Sequence, residues 1–433
     1  MKQTVLYIFL VIAFHSVYAQ RILLLPDAIN IALKNSLDVQ LSKNTVEVND
    51  IFNNYGIAGG LPLVTGTLTD NEQVSNINQK LNSGVLINRN GASTNSVLVG
   101  ITGSILLYNG NRVHATKARL AKLVKQSEQL LNAQIQNIIA EVSIAYFDIV
   151  RQQLYINTID RSIDASRQQL DIVKARQLVG LANNADLFQA QIDLNALLQT
   201  KQTQQLIVAQ GKTELLRQLT LKSDSLIIIK DSIAVDNNLN VASVLESLNV
   251  NPNILAAQDQ ININEQIVKE TAALRYPSIR ANTGFNFIRN QAAAGQLLLN
   301  QNYGPSVGVS VGLPIYNGSI FKRQQKVAEI NVANAGLNKN ILLRDYSAQV
   351  IKAYQSYSTT LNQLKTEKEN YKLSNQLLSL TLQRFQFKQA TILEVKNAQQ
   401  SFEASGFRLV NLKHIMMVFY KPTTLSVFLI RFA

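Results

Sequence analysis

The sequence predicts a mainly α-helical protein that also carries membrane β-structure. Its plan is a duplicated run of helix, β-hairpin and long helix. The long helices are expected to form a coiled-coil α-barrel, and four strands per chain to contribute to a trimeric, twelve-stranded β-barrel. Three observations lead there. An internal repeat keeps a constant offset, the long glycine-poor stretches carry an apolar heptad, and shorter stretches alternate apolar with small or polar residues.

The chain opens on Met1 to Gln20, which reads as a secretory signal: Lys2, an apolar run from Val5 to Phe14, then Val17-Tyr18-Ala19 before a cut after Ala19. Residues 1–19 are therefore expected to be removed. The apolar run is about half the ~20 residues that a spanning helix needs. Composition narrows the chemistry further. The 433 residues include no Cys, so disulfides, thiolate nucleophiles and Cys-based metal sites are excluded. Past the signal only His114 and His414 remain, too few for a histidine-cluster metal site. No cofactor, metal or catalytic residue is expected, and the chain reads as no enzyme. A net charge of +13 would point to nucleic acid in a cytosolic protein, but export removes that partner.

Leu107-Tyr108-Asn109-Gly110 returns as Ile315-Tyr316-Asn317-Gly318, 208 positions later. Arg176 and Arg384, Asn183 and Thr391, and Ala190-Gln191 and Ala398-Gln399 keep the same offset of 208. Upstream, Asp38-Val39 matches Asn253-Ile254 and Leu61-Pro62 matches Tyr276-Pro277 at 215, so the first copy carries seven extra residues between Pro62 and Tyr108. The first repeat is expected over 20–219, with a helix at about 26–58, strands at about 62–108, a long helix at about 111–180 and a helix at about 184–219. An equatorial connector follows at 220–250, with a β-like run from Leu226 to Ile229. The second repeat, 251–420, places a helix at about 251–275, strands at about 277–315, a long helix at about 319–388 and a helix at about 391–420, before a tail at 421–433.

In the long stretches Ile135, Val142, Ile149, Ile156, Ile163 and Leu170 recur every seven residues. The second copy answers with Leu343, Val350, Tyr357, Leu364, Tyr371, Leu378 and Phe385. A period of seven implies left-handed supercoiling, and seventy helical residues span on the order of 100 Å. A soluble coiled-coil rod would explain this seam equally well. The alternating stretches bear on that choice. Ile279, Ala281, Thr283, Phe285 and Phe287 point one way and Ser278, Arg280, Asn282, Gly284 and Asn286 the other; Val307, Val309, Val311 and Leu313 alternate with Gly308, Ser310 and Gly312. Val97 to Leu107 follows the rule, and Leu63 to Thr69 is a less regular fourth strand. A membrane barrel strand needs this pattern, and a half-buried soluble sheet shares it. Open edges are not tolerated in hydrocarbon, and closed barrels start at about eight strands, so four strands need other copies. Three copies give twelve.

The paired Tyr-Asn-Gly motifs opening the long helices, and the pattern Arg176-x3-Gly180-x2-Asn183-x2-Asp186-Leu187-x2-Ala190-Gln191, resemble the TolC-like outer-membrane efflux proteins. The resemblance runs from about Leu24 to Leu412. It implies the outer membrane factor of a tripartite efflux or type I secretion system: a homotrimeric passive duct in outer-membrane lipid, extending into the periplasm. A periplasmic membrane-fusion adaptor and an inner-membrane transporter are the implied partners. Glu394 and Asn397 then fall at the pore entrance. Arg176, Gly180, Leu181, Asn183, Asp186, Arg384, Lys388 and Thr391 fall at an adaptor-docking tip, and Tyr108, Gly110, Tyr316 and Gly318 in membrane-proximal turns. Capping explains Asn183 with Asp186 and Thr391 with Glu394 equally well. Lys388 stands where a turn glycine is expected. Arg112, Lys117, Arg119, Lys122 and Lys125, answered by Lys322, Arg323 and Lys326, make either solvated helix faces or a basic collar facing anionic headgroups. The alternative for the whole chain is a periplasmic or surface coiled-coil scaffold or adhesin with a small soluble β domain.

Overall fold

The computed structural model describes the backbone of residues 21–232 and 240–429 and the side chains of 22–232 and 240–417. The expected signal peptide lies outside these residues. In chain order the described elements begin with β1 (Arg21–Ile22), α1 (Leu25–Asn35), α2 (Leu37–Phe52), β2 (Leu63–Lys80), β3 (Leu86–Tyr108), α3 (Arg112–Leu178) and α4 (Asn184–Gln218). They continue with β4 (Ile227–Ile228), α5 (Val241–Ser247), a single 3-10 turn, α6 (Pro252–Ala273), β5 (Ser278–Ala292), β6 (Leu299–Gly312), α7 (Ile320–Gln386) and α8 (Ile392–Leu429). The fold is mainly helical with one four-stranded sheet, and the long helices α3 and α7 have 67 residues each.

The chain divides into two compact units. One, the helical unit, comprises residues 1–42, 131–252 and 343–433; the other, the sheet unit, comprises 43–130 and 253–342. In the helical unit the heptad residues form the core. Val142, Ile149, Ile163 and Leu170 of α3 are buried, as are Tyr357, Leu364, Leu378 and Phe385 of α7. The connector closes one part of this core: β4 pairs in parallel with β1, and Leu215, Leu219 and Ile229 pack with Tyr146. The Tyr146 hydroxyl donates to the Leu23 carbonyl at 3.1 Å and to Asp231 at 3.4 Å. Burial, and then the Asp231 charge, push its pKa well above the ordinary tyrosine range.

Three boundaries differ from expectation. The helix expected at about 26–58 is two helices ending at Phe52. Ser36 breaks it, because its non-helical ψ of 124° ends α1 while its hydroxyl accepts from the Val39 N–H at 3.3 Å. Asn53, Asn54, Gly56, Gly59 and Gly60 then supply turn-forming residues. The irregular strand at Leu63 to Thr69 is an 18-residue strand, paired with a 23-residue β3, so the seven extra residues of the first copy lie in longer strands. Finally, the tail expected from 421 is helical to Leu429. Pro422 removes one backbone donor, a loss that kinks a helix without always ending it.

Candidate functional site

The sheet unit holds an antiparallel sheet in the order β2-β3-β5-β6, and among the described residues β2 and β6 are its unpaired edges. Register places one set of residues on one face. Directly paired rows read Leu68, Val99, Phe287, Tyr303; then Gly66, Ile101, Phe285, Pro305; then Val64, Gly103, Thr283, Val307. Ile105, Ala281 and Val309 continue it, and Tyr108, Ile279 and Val311 close it past a bulge. The opposite face carries Thr67, Gly100, Asn286, Gly304 and Thr65, Thr102, Gly284, Ser306, with Leu63, Leu98, Leu106 and Ile288 as its apolar exceptions. Gly100 leaves room there for the Asn286 side chain, whose amide oxygen would lie 2.2 Å from a Cβ at that position and would have to turn away.

The apolar face is bare: Val307 is 88% exposed and Leu68 76%. An apolar surface of this extent is not stable against water. Along β5 the band from Ile279 to Phe287 is as long as a tilted membrane strand, which needs about 9–11 residues. Beyond it polar side chains take over, and Asn95 donates to Asp70 at 2.7 Å and Glu72 at 3.2 Å. No helix among the described residues is long and apolar enough to cross a membrane.

The expected turn residues lie where α3 and α7 begin. Gly110 and Asn111 have φ of 66° and 65°, and Gly318 and Ser319 have 65° and 63°. Two successive left-handed residues turn the strand into the helix, which is why each motif carries a glycine. At Gly110 there is a second reason: a Cβ would meet the Tyr276 Cβ at 2.8 Å and the Ala273 carbonyl at 2.9 Å. Asn111 and Ser319 are turn residues that the motif search missed; their constant offset was the available signal.

In the helical unit two hairpin turns, α3 to α4 and α7 to α8, share one geometry. Gly180 has φ 72°, and the Leu181 N–H donates to the Arg176 carbonyl at 2.8 Å. Lys388 has φ 63°, and the Gln389 N–H donates to the Arg384 carbonyl at 2.8 Å. The lysine adopts the conformation of the glycine it aligns with. Asn183 and Asp186 form a reciprocal capping box. Thr391 and Glu394 do the same: the Glu394 carboxylate accepts from the Thr391 N–H at 2.6 Å, and the Thr391 hydroxyl accepts from the Glu394 N–H at 3.2 Å. Those bonds to Thr391, with Arg384 nearby, hold the Glu394 carboxyl below the ordinary range.

The two turns also meet. The Arg176 guanidinium donates to the Phe385 carbonyl and lies over its ring, 4.3 Å from the centroid. Arg384 instead donates to Gln389 of its own turn at 2.8 Å. Lys396 reaches Asp193 at 2.8 Å, an ion pair between α8 and α4 that sequence reading did not anticipate. Asn397 is exposed one turn beyond Glu394, which is exposed as well. Leu178, Val179, Leu181, Phe387 and Leu393 are all more than half exposed and leave the turns with an apolar surface.

The two histidines are placed separately. The His114 ring meets the Tyr55 ring edge-on at 6.3 Å. His414 is buried, and burial holds its pKa below the ordinary imidazole range. Among the described residues the His414 Nε2 has no hydrogen-bond partner.

Comparison with known proteins agrees with this geometry. The family model described as outer membrane efflux protein matches residues 28–219 and 244–415. The outer membrane protein TolC of Vibrio cholerae is 22% identical over 306 residues, covering 68% of each chain. The outer membrane efflux protein BepC of Brucella suis is 21% identical over 327 residues, 74% of this chain and 69% of BepC. Among solved structures, the outer membrane protein VceC from Vibrio cholerae matches with a TM-score of 0.76 at 17% identity, covering 93% of this chain and 95% of VceC. The outer-membrane channel OprN matches with 0.76 at 14% identity over 92% and 89%. At these identities the structural likeness carries the fold.

Proposed function

Because the chain belongs to the outer membrane efflux protein family, we propose that three copies assemble into a passive outer-membrane duct, fed by a periplasmic adaptor and an inner-membrane pump. The carrying observation is the two-faced sheet with two open edges. Its apolar face suits lipid and its small, polar face suits water, whereas its unpaired edges have no place in hydrocarbon. Edges of β2 and β6 from neighbouring copies satisfy each other, and twelve strands leave a water-filled interior. Pro305 lies on β6 and lacks an N–H, so one position of that seam carries a carbonyl alone.

Helical residues support the same assembly. Leu373, Leu380 and Phe387 recur at seven-residue spacing and are 56%, 59% and 72% exposed. Ile330 and Leu337 do the same. A heptad stripe left bare in one chain is what a neighbouring copy covers. The apolar turns suit docking of an adaptor, and Glu394, repeated around a threefold axis, gives an acidic entrance that favours cations. Conduction needs no nucleophile or cofactor, and the duct performs no chemistry.

Native mass measurement of the detergent-extracted protein together with single-channel recording tests the proposal. Trimers with a conductance are expected. Monomers that form no channel, or a protein fully soluble without detergent, contradict it.

A further inference from the structure

The margin of the sheet next to the long helices carries a charge pattern that a duct alone does not require. Beyond Tyr108 the chain reaches Arg112 within four residues, and beyond Gly312 it reaches Lys322 and Arg323. Arg275 precedes β5 on the same margin. Arg112, Arg275, Lys322 and Arg323 are exposed, and among the described residues no carboxylate pairs with them. Nearby cations differ: Arg119 is held by Glu270 at 2.7 Å, Lys326 by Glu329 at 3.3 Å and Lys117 by Asn53 at 2.6 Å. Neither α3 nor α7 has an acidic residue in its first turn. Cations at the start of a helix oppose its dipole, so helix stability does not explain them.

Four tyrosines mark the same margin. Tyr108, Tyr276 and Tyr316 are 38%, 54% and 85% exposed, and Tyr55, 47% exposed, packs beside His114 and Lys117. Exposed tyrosines bordering an apolar band, followed by cations, match the chemical order of a bilayer leaflet from hydrocarbon to headgroup.

We propose that Arg112, Lys322 and Arg323 form a binding surface for anionic phospholipid, the phosphodiester held by the cations and the acyl chains continuing along the apolar face of the sheet. This rests on reading that face as lipid-facing. The chemistry required is a phosphate joined to apolar chains with no compensating ammonium, so phosphatidylglycerol is preferred to phosphatidylethanolamine.

Native mass spectrometry of the full mature protein in detergent, titrated with each lipid, tests the surface. Phosphatidylglycerol should stay bound at concentrations where phosphatidylethanolamine does not. The variant R112Q/K322Q/R323Q should weaken its binding about tenfold or more. A distant control, K365Q/K368Q/K372Q, should bind like wild type, and the charge-keeping R112K/K322R/R323K should restore binding. Equal binding of both lipids, an unaffected Gln variant, or equal loss in the control overturns the proposal. Full displacement by millimolar inorganic phosphate also overturns it, since the site would then take a free anion. If instead wild-type protein is recovered without detergent, the lipid-facing reading of the sheet itself fails, a separate outcome.

Discussion

The two hairpin turns of the helical unit, 208 residues apart, have the same backbone and different chemistry. One uses glycine at its left-handed position and the other lysine, yet the closing hydrogen bonds to Arg176 and Arg384 have the same 2.8 Å length. The bond pattern at the helix end therefore sets the turn, and the residue type sets only how costly it is. The arginines diverge as well. Arg176 ties its turn to the other repeat through Phe385, whereas Arg384 closes its own turn. One turn is braced from outside, and the other holds itself.

Removing the brace should have the largest effect. Arg176→Ala loses a charged hydrogen bond and a ring contact, about 2 kcal/mol of local stability. Arg384→Ala should cost about 1 kcal/mol or less, because the lost bond is exposed. Hydrogen exchange at Lys388 and Gln389 reads both; equal acceleration in the two variants would erase the distinction.

Exchanging the left-handed residues should give opposite signs. Gly180→Ala is expected to cost about 1 kcal/mol and Lys388→Gly to gain somewhat less, since glycine relieves the strain but adds unfolded-state freedom. Limited proteolysis at each turn should slow for the second variant and quicken for the first.

The caps come next. Asn183→Ala and Thr391→Ala should each cost about 1 kcal/mol, seen as faster exchange of the Asp186 and Glu394 amides respectively. Acidification should have the smallest effect. The Glu394 carboxyl titrates below its unfolded value, so its capping contribution is complete above the ordinary carboxylate pKa and is lost as pH falls through the depressed one. Exchange at Thr391, corrected for intrinsic rates, should rise only in that acid range, and Glu394→Gln should remove the step.

Much of this was legible in residue patterns. The constant offset aligned Gly180 with Lys388, and the heptad picked out Val142, Ile149, Leu364 and Phe385, all of which are buried. Alternation found the parts of β3, β5 and β6 in which apolar residues share one face of the sheet. It did not find β3 between Leu86 and Ser96, where polar residues occupy both faces and carry no period-two signal. Local composition also could not show that Lys388 adopts positive φ, since lysine has no intrinsic preference for it. The Arg176 contact with Phe385 joins residues more than 200 positions apart and depends on packing alone.

The proposal that copies share one wall is most directly tested by disulfide trapping. The chain has no native cysteine, so single Cys pairs can be scanned along β2 and β6 without background. If the edges pair between copies, some registers will give covalent dimers and trimers, and no larger species, on non-reducing gels of the membrane-inserted protein. If every productive pair instead closes within one chain, or none links at any register in the folded, inserted protein, the shared wall is contradicted.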